Sequence, residues 1–557
     1  MMKLKAIFLA GAALLAAATA AKADTWVMNA NGYALGKDGK PVPFRTMRIG
    51  KDGKIAWVTQ AVPRIAWGPD DVMVDAGGKT VIPGLIDAHG HVMGLGFQAL
   101  ALDLNGTKSL DEALQRLKAY AAANPDKPWI IGRGWNQEIW KLGRFPTAAE
   151  IDAVVSDRPV WLGRVDGHAG WANSKALEIA GVTAASKDPT GGRIERKADG
   201  SPAGVLVDSA QDVVDAKVPA PTAADAEAAL AAALKIMAEV GLTGVGDAGA
   251  DPKTWAIYDR FGKEGRLTAR IYAMAGGMES LEAISPKGPI DWTHDDRLAL
   301  KSVKLYSDGA LGSRGAFLKA PYSDDPKNIG LQFLPQDKLN GMVRSAASRG
   351  YQVNVHAIGD GANAEVLDAF ESVKGSTPKG LRHRIEHAQV VDPVDLPRFA
   401  KLEVIASMQP THATSDKNMA EDRLGKARMK GAYAWRSVLD SGAKFAGGSD
   451  FPVEAPNPFF GIHAAVTRQD HNDQPLGGWY PGEALTLDEA LAAFTTGAAY
   501  AEFGEGKFGS LSQGEWADFL ILDADPYKIQ PKDLWKIKVQ ETWVGGKRVF
   551  QREGAAK

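Results

Sequence analysis

Short apolar runs bounded by turn residues recur through the middle of the chain, and Ala-rich stretches with helical periodicity separate them. Runs of this length read as buried strands. They fall at 242–247, 269–273, 303–307, 351–356, 381–387, 404–409 and 444–448, with one more opening at Val81. Helices are predicted between them, most clearly over 225–240 and 487–500. Repeated strand–helix units imply a parallel sheet. Eight strands close a (β/α)8 TIM barrel, whose functional groups sit at the strand C-termini.

The two ends of the chain have a different texture. Strand-like runs such as Trp26-Val27-Met28-Asn29-Ala30 and Ile55-Ala56-Trp57-Val58 are separated by Asn31-Gly32, Lys37-Asp38-Gly39 and Lys51-Asp52-Gly53. Asn-Gly and Asp-Gly steps favour hairpin turns. Residues 518–522 and 539–544 repeat the pattern, with Gly545-Gly546 as a turn. The expected fold class is therefore α/β, with a barrel over 81–502 and a composite β-sandwich built from 24–80 and 503–557. The connection after the first barrel strand is far longer than usual. Its Trp-rich strand-like pieces, Pro128-Trp129-Ile130-Ile131 and Pro159-Val160-Trp161-Leu162, make it an inserted subdomain over about residues 97–235.

The N-terminus changes the picture further. Lys3 and Lys5, an Ala/Leu-rich run from Ala6 to Thr19, and Ala21-Lys22-Ala23 have the three-part layout of a secretory signal peptide. Cleavage is expected after Ala23, giving an exported, periplasmic or secreted protein. The apolar run is short for a membrane span, so no membrane partner is expected after cleavage. Across 557 residues the hydrophobic share is 45%, the charged share 24% and the formal charge −2, which suits a soluble globular protein and gives no reason to expect nucleic acid. The expected partner is a small-molecule substrate, and a homo-oligomer is compatible with this composition. The chain has no cysteine, so a metal site must use His, carboxylate or modified Lys.

Candidate chemistry gathers at the predicted strand ends. Val81-Ile82-Pro83-Gly84-Leu85-Ile86-Asp87-Ala88-His89-Gly90-His91 reads as one strand ending in a His-x-His pair. Strand alternation puts His89 and His91 on one face, where two imidazoles can share a metal ion. Two histidines bonded to backbone in a turn are the alternative. Lys304 shares a face with Tyr306 and Asp308. A bare buried ammonium is costly; it is relieved by pairing with Asp308, or by conversion to a carbamate that can bridge two metals. Gln352, Asn354 and His356 line another polar face. His387 ends a further strand, and Asp450 follows small residues, Gly447 and Gly448, that permit close approach.

This series resembles the amidohydrolase superfamily, through Pro83 to His91, Val355-His356, Glu386-His387 and Gly448-Ser449-Asp450. More narrowly it is similar to the YtcJ-like, or amidohydrolase 3, branch, which includes N-substituted formamide deformylases. Gly132-Arg133-Gly134-Trp135, Asp166 to Asn173, Val303-Lys304 through Ser313-Arg314, His356 to Asp360 and Ser449-Asp450-Phe451-Pro452 carry that narrower likeness.

The resemblance implies a divalent metal centre, usually two Zn, with Mn, Fe or Co as alternatives. His89, His91 and Asp450 would hold one metal, His356 and His387 the other, and N6-carboxylated Lys304 would bridge them. It implies a hydrolase of an amide or related C–N bond, of N-acyl or N-formyl amine or N-acyl amino acid type. Asp450 would be the general base and acid. A lactonase, carboxylesterase or phosphotriesterase on the same centre is the alternative enzyme reading, and a non-catalytic binding protein the alternative outside enzymes. His168, Arg314, Trp135 and His412 are the candidates for substrate contact.

Overall fold

Eight parallel strands form the centre of the molecule: β1 (Leu85–Gly90), β2 (Leu242–Ala250), β3 (Arg270–Gly276), β4 (Leu298–Tyr306), β5 (Gln352–Ala357), β6 (Arg384–His387), β7 (Ile405–Met408) and β8 (Lys444–Gly447). Each pairs with the next in chain order. The structure is a computed structural model, and it describes residues 23–36, 39–61, 68–165, 167, 169–189 and 192–554. The expected signal peptide and the Lys37-Asp38 turn lie outside the described residues.

Alternation along the strands separates two apolar layers. Ile271, Ala273 and Ala275 of β3 join the large core shared with the helices, whereas Tyr272 and Met274 join a second cluster with Ile86, Ala88 and Ala446. Register places Tyr306 opposite His356, and His356 opposite Glu386, so the ends of β4, β5 and β6 are level. Between β1 and β8 the join is made just beyond the strand ends. Asp450 N donates to His89 O at 2.7 Å and His91 N to Phe451 O at 2.7 Å.

The single strand expected over 81–91 is corrected by the structure. Thr80–Pro83 belongs to a sheet formed by the chain termini, and only Leu85–Gly90 enters the barrel. The change of sheet falls at Pro83-Gly84, where proline has no amide hydrogen to donate. At Gly84 a Cβ would lie 2.2 Å from Thr243 Oγ1, so only glycine allows β1 to pack against β2 there.

The terminal segments interleave. One six-stranded sheet runs Lys547–Gln551, Val539–Val544, Phe519–Leu522, Thr80–Pro83, Asn31–Leu35, Pro41–Phe44; a four-stranded sheet runs Ile55–Thr59, Thr46–Ile49, Thr25–Met28, Val72–Asp75. Val27, Met47, Val81, Phe519 and Trp543 pack between them in one core. The long connection after β1 holds its own six-stranded sheet, from Leu102–Asp103 to Gly192–Arg196, over a core that includes Leu117, Ile130, Trp135 and Trp171. The chain then returns to β2 through the helix Ala223–Val240, which starts at a Thr222/Asp225 capping box and stops at left-handed Gly241 (φ 85°). The helical run from Leu487 widens into a π turn at Ala493–Gly497 before ending at Ala501.

Barrel and terminal sheets are tied by one buried ion pair. Arg270 donates to Asp518 through Nε at 2.6 Å and Nη2 at 2.9 Å, and its Nη1 reaches Asp295 O and Asp296 O. Removing one partner leaves a buried charge uncompensated. Asp518→Ala is expected to lower the unfolding free energy by about 3–5 kcal/mol, read by denaturant titration. A loss under about 1 kcal/mol would show that the pair contributes no more than a surface salt bridge.

Candidate metal centre

The site begins with a carboxylate that takes no part in its open face. Asp87 is fully buried and accepts His89 N at 3.1 Å, Ser449 N at 3.0 and 3.1 Å, and Ser449 Oγ at 2.6 Å. Gly448 passes so close that a Cβ would sit 2.7 Å from Asp87 Oδ1. Burial pushes the Asp87 carboxyl up to about 7 despite these donors. Its effect is to hold the ends of β1 and β8 together, which brings Asp450 against the two histidines.

Asp450 Oδ1 lies 3.0 Å from His91 Nε2 and 3.6 Å from His89 Nε2. Its Oδ2 faces His412 Nε2 at 3.9 Å. Burial alone would raise the Asp450 carboxyl, but the hydrogen bond to His91 and the charges of His89, His387 and His412 outweigh it and hold it well below the usual range. Among the described residues two groups have donor atoms close enough to share an ion: His89, His91 and Asp450, and His387, His412 and Asp450. The same carboxylate is common to both.

Two of these residues reach the site through backbone that side chains seldom adopt. His387 has φ 75° and Asp450 φ 60°. Such left-handed positions at non-glycine residues cost free energy and cluster at functional sites. At β6 the turn matters, because alternation from Glu386 would otherwise send His387 to the opposite face. His387 Nδ1 is instead fixed by Gln409 Oε1 at 2.8 Å, leaving Nε2 for the site.

Lys304 is 1% exposed, and its Nζ lies 3.3 Å from His89 Nε2 and 5.0 Å from the centre of the Tyr306 ring. The alternative pairing with Asp308 is not what the structure has. Asp308 accepts the amides of Phe317, Ile358 and Gly359 at 2.8, 2.9 and 2.8 Å and stands 3.5 Å from His356 Nε2. Burial lowers Lys304 to about 8, so a neutral amine is accessible near neutral pH. Burial and the neighbouring Lys304 charge depress His89 to about 4 and His356 to about 3; burial with His356 and His89 keeps His387 low as well.

This donor set fits a divalent metal. Neutral imidazoles offer lone pairs, an ionised carboxylate stands among them, and His356 Nε2 and His412 Nε2 are buried without a hydrogen-bond partner. All six residues carried by the resemblance lie at or just beyond the C-terminal ends of barrel strands β1, β4, β5, β6 and β8.

The substrate-contact expectations fare differently. His412 does face the site, stacked at 6.1 Å on His387. Trp135 is corrected: it is fully buried in the core of the insertion, donates Nε1 to Leu162 O at 2.6 Å and packs on Trp140 and Trp171. A large apolar ring in a small subdomain is consumed by that subdomain's own core. Arg314 is held by Asp324 through Nε and Nη2 at 3.1 and 2.8 Å, and Arg423 shares that carboxylate. His168 lies outside the described residues.

The sequence reading gave Arg384 and Glu386 no role of their own, although two charged residues alternating on a buried strand were the available signal. Glu386 Oε2 lies 2.5 Å from His89 Nδ1, and Arg384 Nη2 donates to the same oxygen at 3.0 Å.

Comparison with known proteins bears on this geometry. The Amidohydrolase family matches over residues 72–550. The chain belongs to this family. YtcJ of Bacillus subtilis is 35% identical over 498 residues, covering 87% of this chain and 91% of YtcJ. The N-substituted formamide deformylase of Arthrobacter pascens is 29% identical over 520 residues, covering 90% and 94%. Among solved structures, an uncharacterized metal-dependent hydrolase from Pyrococcus horikoshii superposes with a TM-score of 0.76 at 28% identity, covering 91% of this chain and 99% of that one. The protein is thus an amidohydrolase, a metal-dependent hydrolase of the class that acts on carbon–nitrogen bonds.

The correction at Trp135 is testable. Trp135→Ala is expected to cost about 3–5 kcal/mol of stability by denaturant titration while bound metal per folded chain is unchanged. Wild-type stability with altered substrate preference would restore a pocket role.

Proposed function

We propose that this amidohydrolase cleaves the amide of an N-acyl or N-formyl amine, or of an N-acyl amino acid, at a two-metal centre held by His89, His91, Lys304, His356, His387 and Asp450. The observation that carries the reading is the convergence of imidazole nitrogens on the two oxygens of Asp450. The formamide deformylase relative supports the amide substrate. A set of His, carboxylate and carbamate donors suits zinc.

When bound, the metals supply positive charge that acidifies water and polarises a carbonyl. The protein supplies the rest. The neutral Lys304 amine adds to carbon dioxide, forming a C–N bond and releasing one proton, and so exchanges a buried cation for an anion. Asp450, ionised, takes the proton of the attacking water and delivers it to the leaving nitrogen, which departs as the amine. His89 and His387 have their Nδ1 atoms engaged by Glu386 and Gln409, so both rings are held with Nε2 inward. We place the enzyme outside the cytoplasm, on the leader-like pattern of Met1 to Ala23.

Two measurements test this. Metal-loaded enzyme should hydrolyse N-formyl amines or N-acyl amino acids faster than lactones and aryl esters; the reverse order would replace the amide reading with an esterase or lactonase one. Asp450→Asn should reduce kcat by about 10²–10⁴-fold while keeping more of its metal than of its turnover. Unchanged turnover with intact metal would remove Asp450 from proton transfer.

A further inference from the structure

We propose that Glu386, clamped by Arg384, is a positioning residue that sets the tautomer of His89 and so the affinity of the metal position His89 serves. The proposal rests on the reading of His89 as a metal ligand.

Glu386 and Arg384 stand two residues apart on β6 and face the same way, and both are fully buried. Arg384 Nε lies 2.7 Å from Glu386 Oε1, and Nη2 donates to Oε2 at 3.0 Å. The guanidinium is fixed in turn, with Nη2 also reaching Ala88 O at 2.6 Å and Ser407 Oγ at 2.8 Å. Ala88 is the residue before His89, so Arg384 grips β1 and orients the carboxylate in one arrangement.

A carboxylate needed only to neutralise Arg384 would have no further partner. Here Oε2 is shared, lying 2.5 Å from His89 Nδ1. An ionised carboxylate can only accept, so Nδ1 must carry the hydrogen and the lone pair must lie on Nε2. Nε2 is the atom that faces Asp450 Oδ1 at 3.6 Å and Lys304 Nζ at 3.3 Å. Were the hydrogen on Nε2, His89 would present a donor to the metal position. A carboxylate behind a ligating imidazole fixes ring and tautomer and strengthens the ligand.

The test uses the full-length enzyme loaded with Zn(II) or Co(II). Metal affinity is read by chelator competition, the site by Co(II) absorption, and the fold by thermal unfolding. Glu386→Ala is expected to weaken one metal position by about 10–100-fold and to shift the Co(II) bands. Glu386→Gln keeps an oxygen that accepts the Nδ1 hydrogen, so its loss should be smaller and added metal should restore its turnover. Because Glu386→Ala strands a buried guanidinium, the double variant R384M/E386Q removes both charges and carries the test if the single variant does not fold. Wild-type affinity and wild-type Co(II) bands in every folded variant would overturn the positioning role while leaving the metal site intact. Absence of metal binding by the wild-type enzyme would instead overturn the metal reading itself.

Discussion

Asp87 is where the first and last barrel strands are pinned together. Its oxygens accept the Ser449 amide and hydroxyl from one strand end and the His89 amide from the other. A buried carboxylate with three donors is expensive to place and cannot be exchanged for an apolar group without leaving those donors unpaired. The contact therefore fixes a distance. With Ser449 held at Asp87, the next residue, Asp450, donates its amide to His89 O, and its side chain has nowhere to go but among the histidines. Barrel closure and site geometry share this contact, where Gly448 leaves no room for a Cβ.

Much of this was legible in the strand pattern. Polar residues alternating in an apolar context, Gln352, Asn354 and His356, announced a lumen with chemistry at its end, and the barrel order followed from strand–helix repetition. What could not be read was any feature that breaks the period. His387 and Asp450 reach the site through left-handed backbone, and no side-chain pattern predicts a positive φ at His or Asp. The break at Pro83-Gly84 was visible as residues but not as a change of sheet, since both halves are equally apolar. Trp135 was misplaced for a related reason: an apolar residue in an insertion scores alike whether it faces a pocket or a core, and only the packing of Trp140, Phe145 and Trp171 around it decides.

The lumen beneath the site is unusually charged for a barrel interior. Arg384, Glu386 and Glu502 are all fully buried there, and burial with the nearby Asp87 and Glu386 pushes the Glu502 carboxyl well above its ordinary range even though Arg384 opposes it. Replacing buried ion pairs by apolar residues is often neutral or stabilising, so stability alone does not account for them. Of the Glu386 and Glu502 carboxylates, Glu386, which Arg384 clamps, is the one that reaches a candidate ligand, at His89 Nδ1.

Burial acts on the site in two opposite ways, and the balance gives the centre its direction. It strips protons from His89 and His356, making lone pairs, and lowers Lys304 to about 8, which brings its neutral amine within reach. It would also protonate Asp450, were that carboxyl not hydrogen-bonded to His91 and flanked by His89, His387 and His412. The side chain of His89 is 1% exposed, that of His91 35% and that of Asp450 12%. Tyr306, beside Lys304 and His356, is 45% exposed. The centre is closed behind His89 and open past His91 and Tyr306, so these two rings border its accessible side. Asp450 lies between the closed wall and the opening, which is the position the proposed proton transfer from water to the leaving nitrogen calls for.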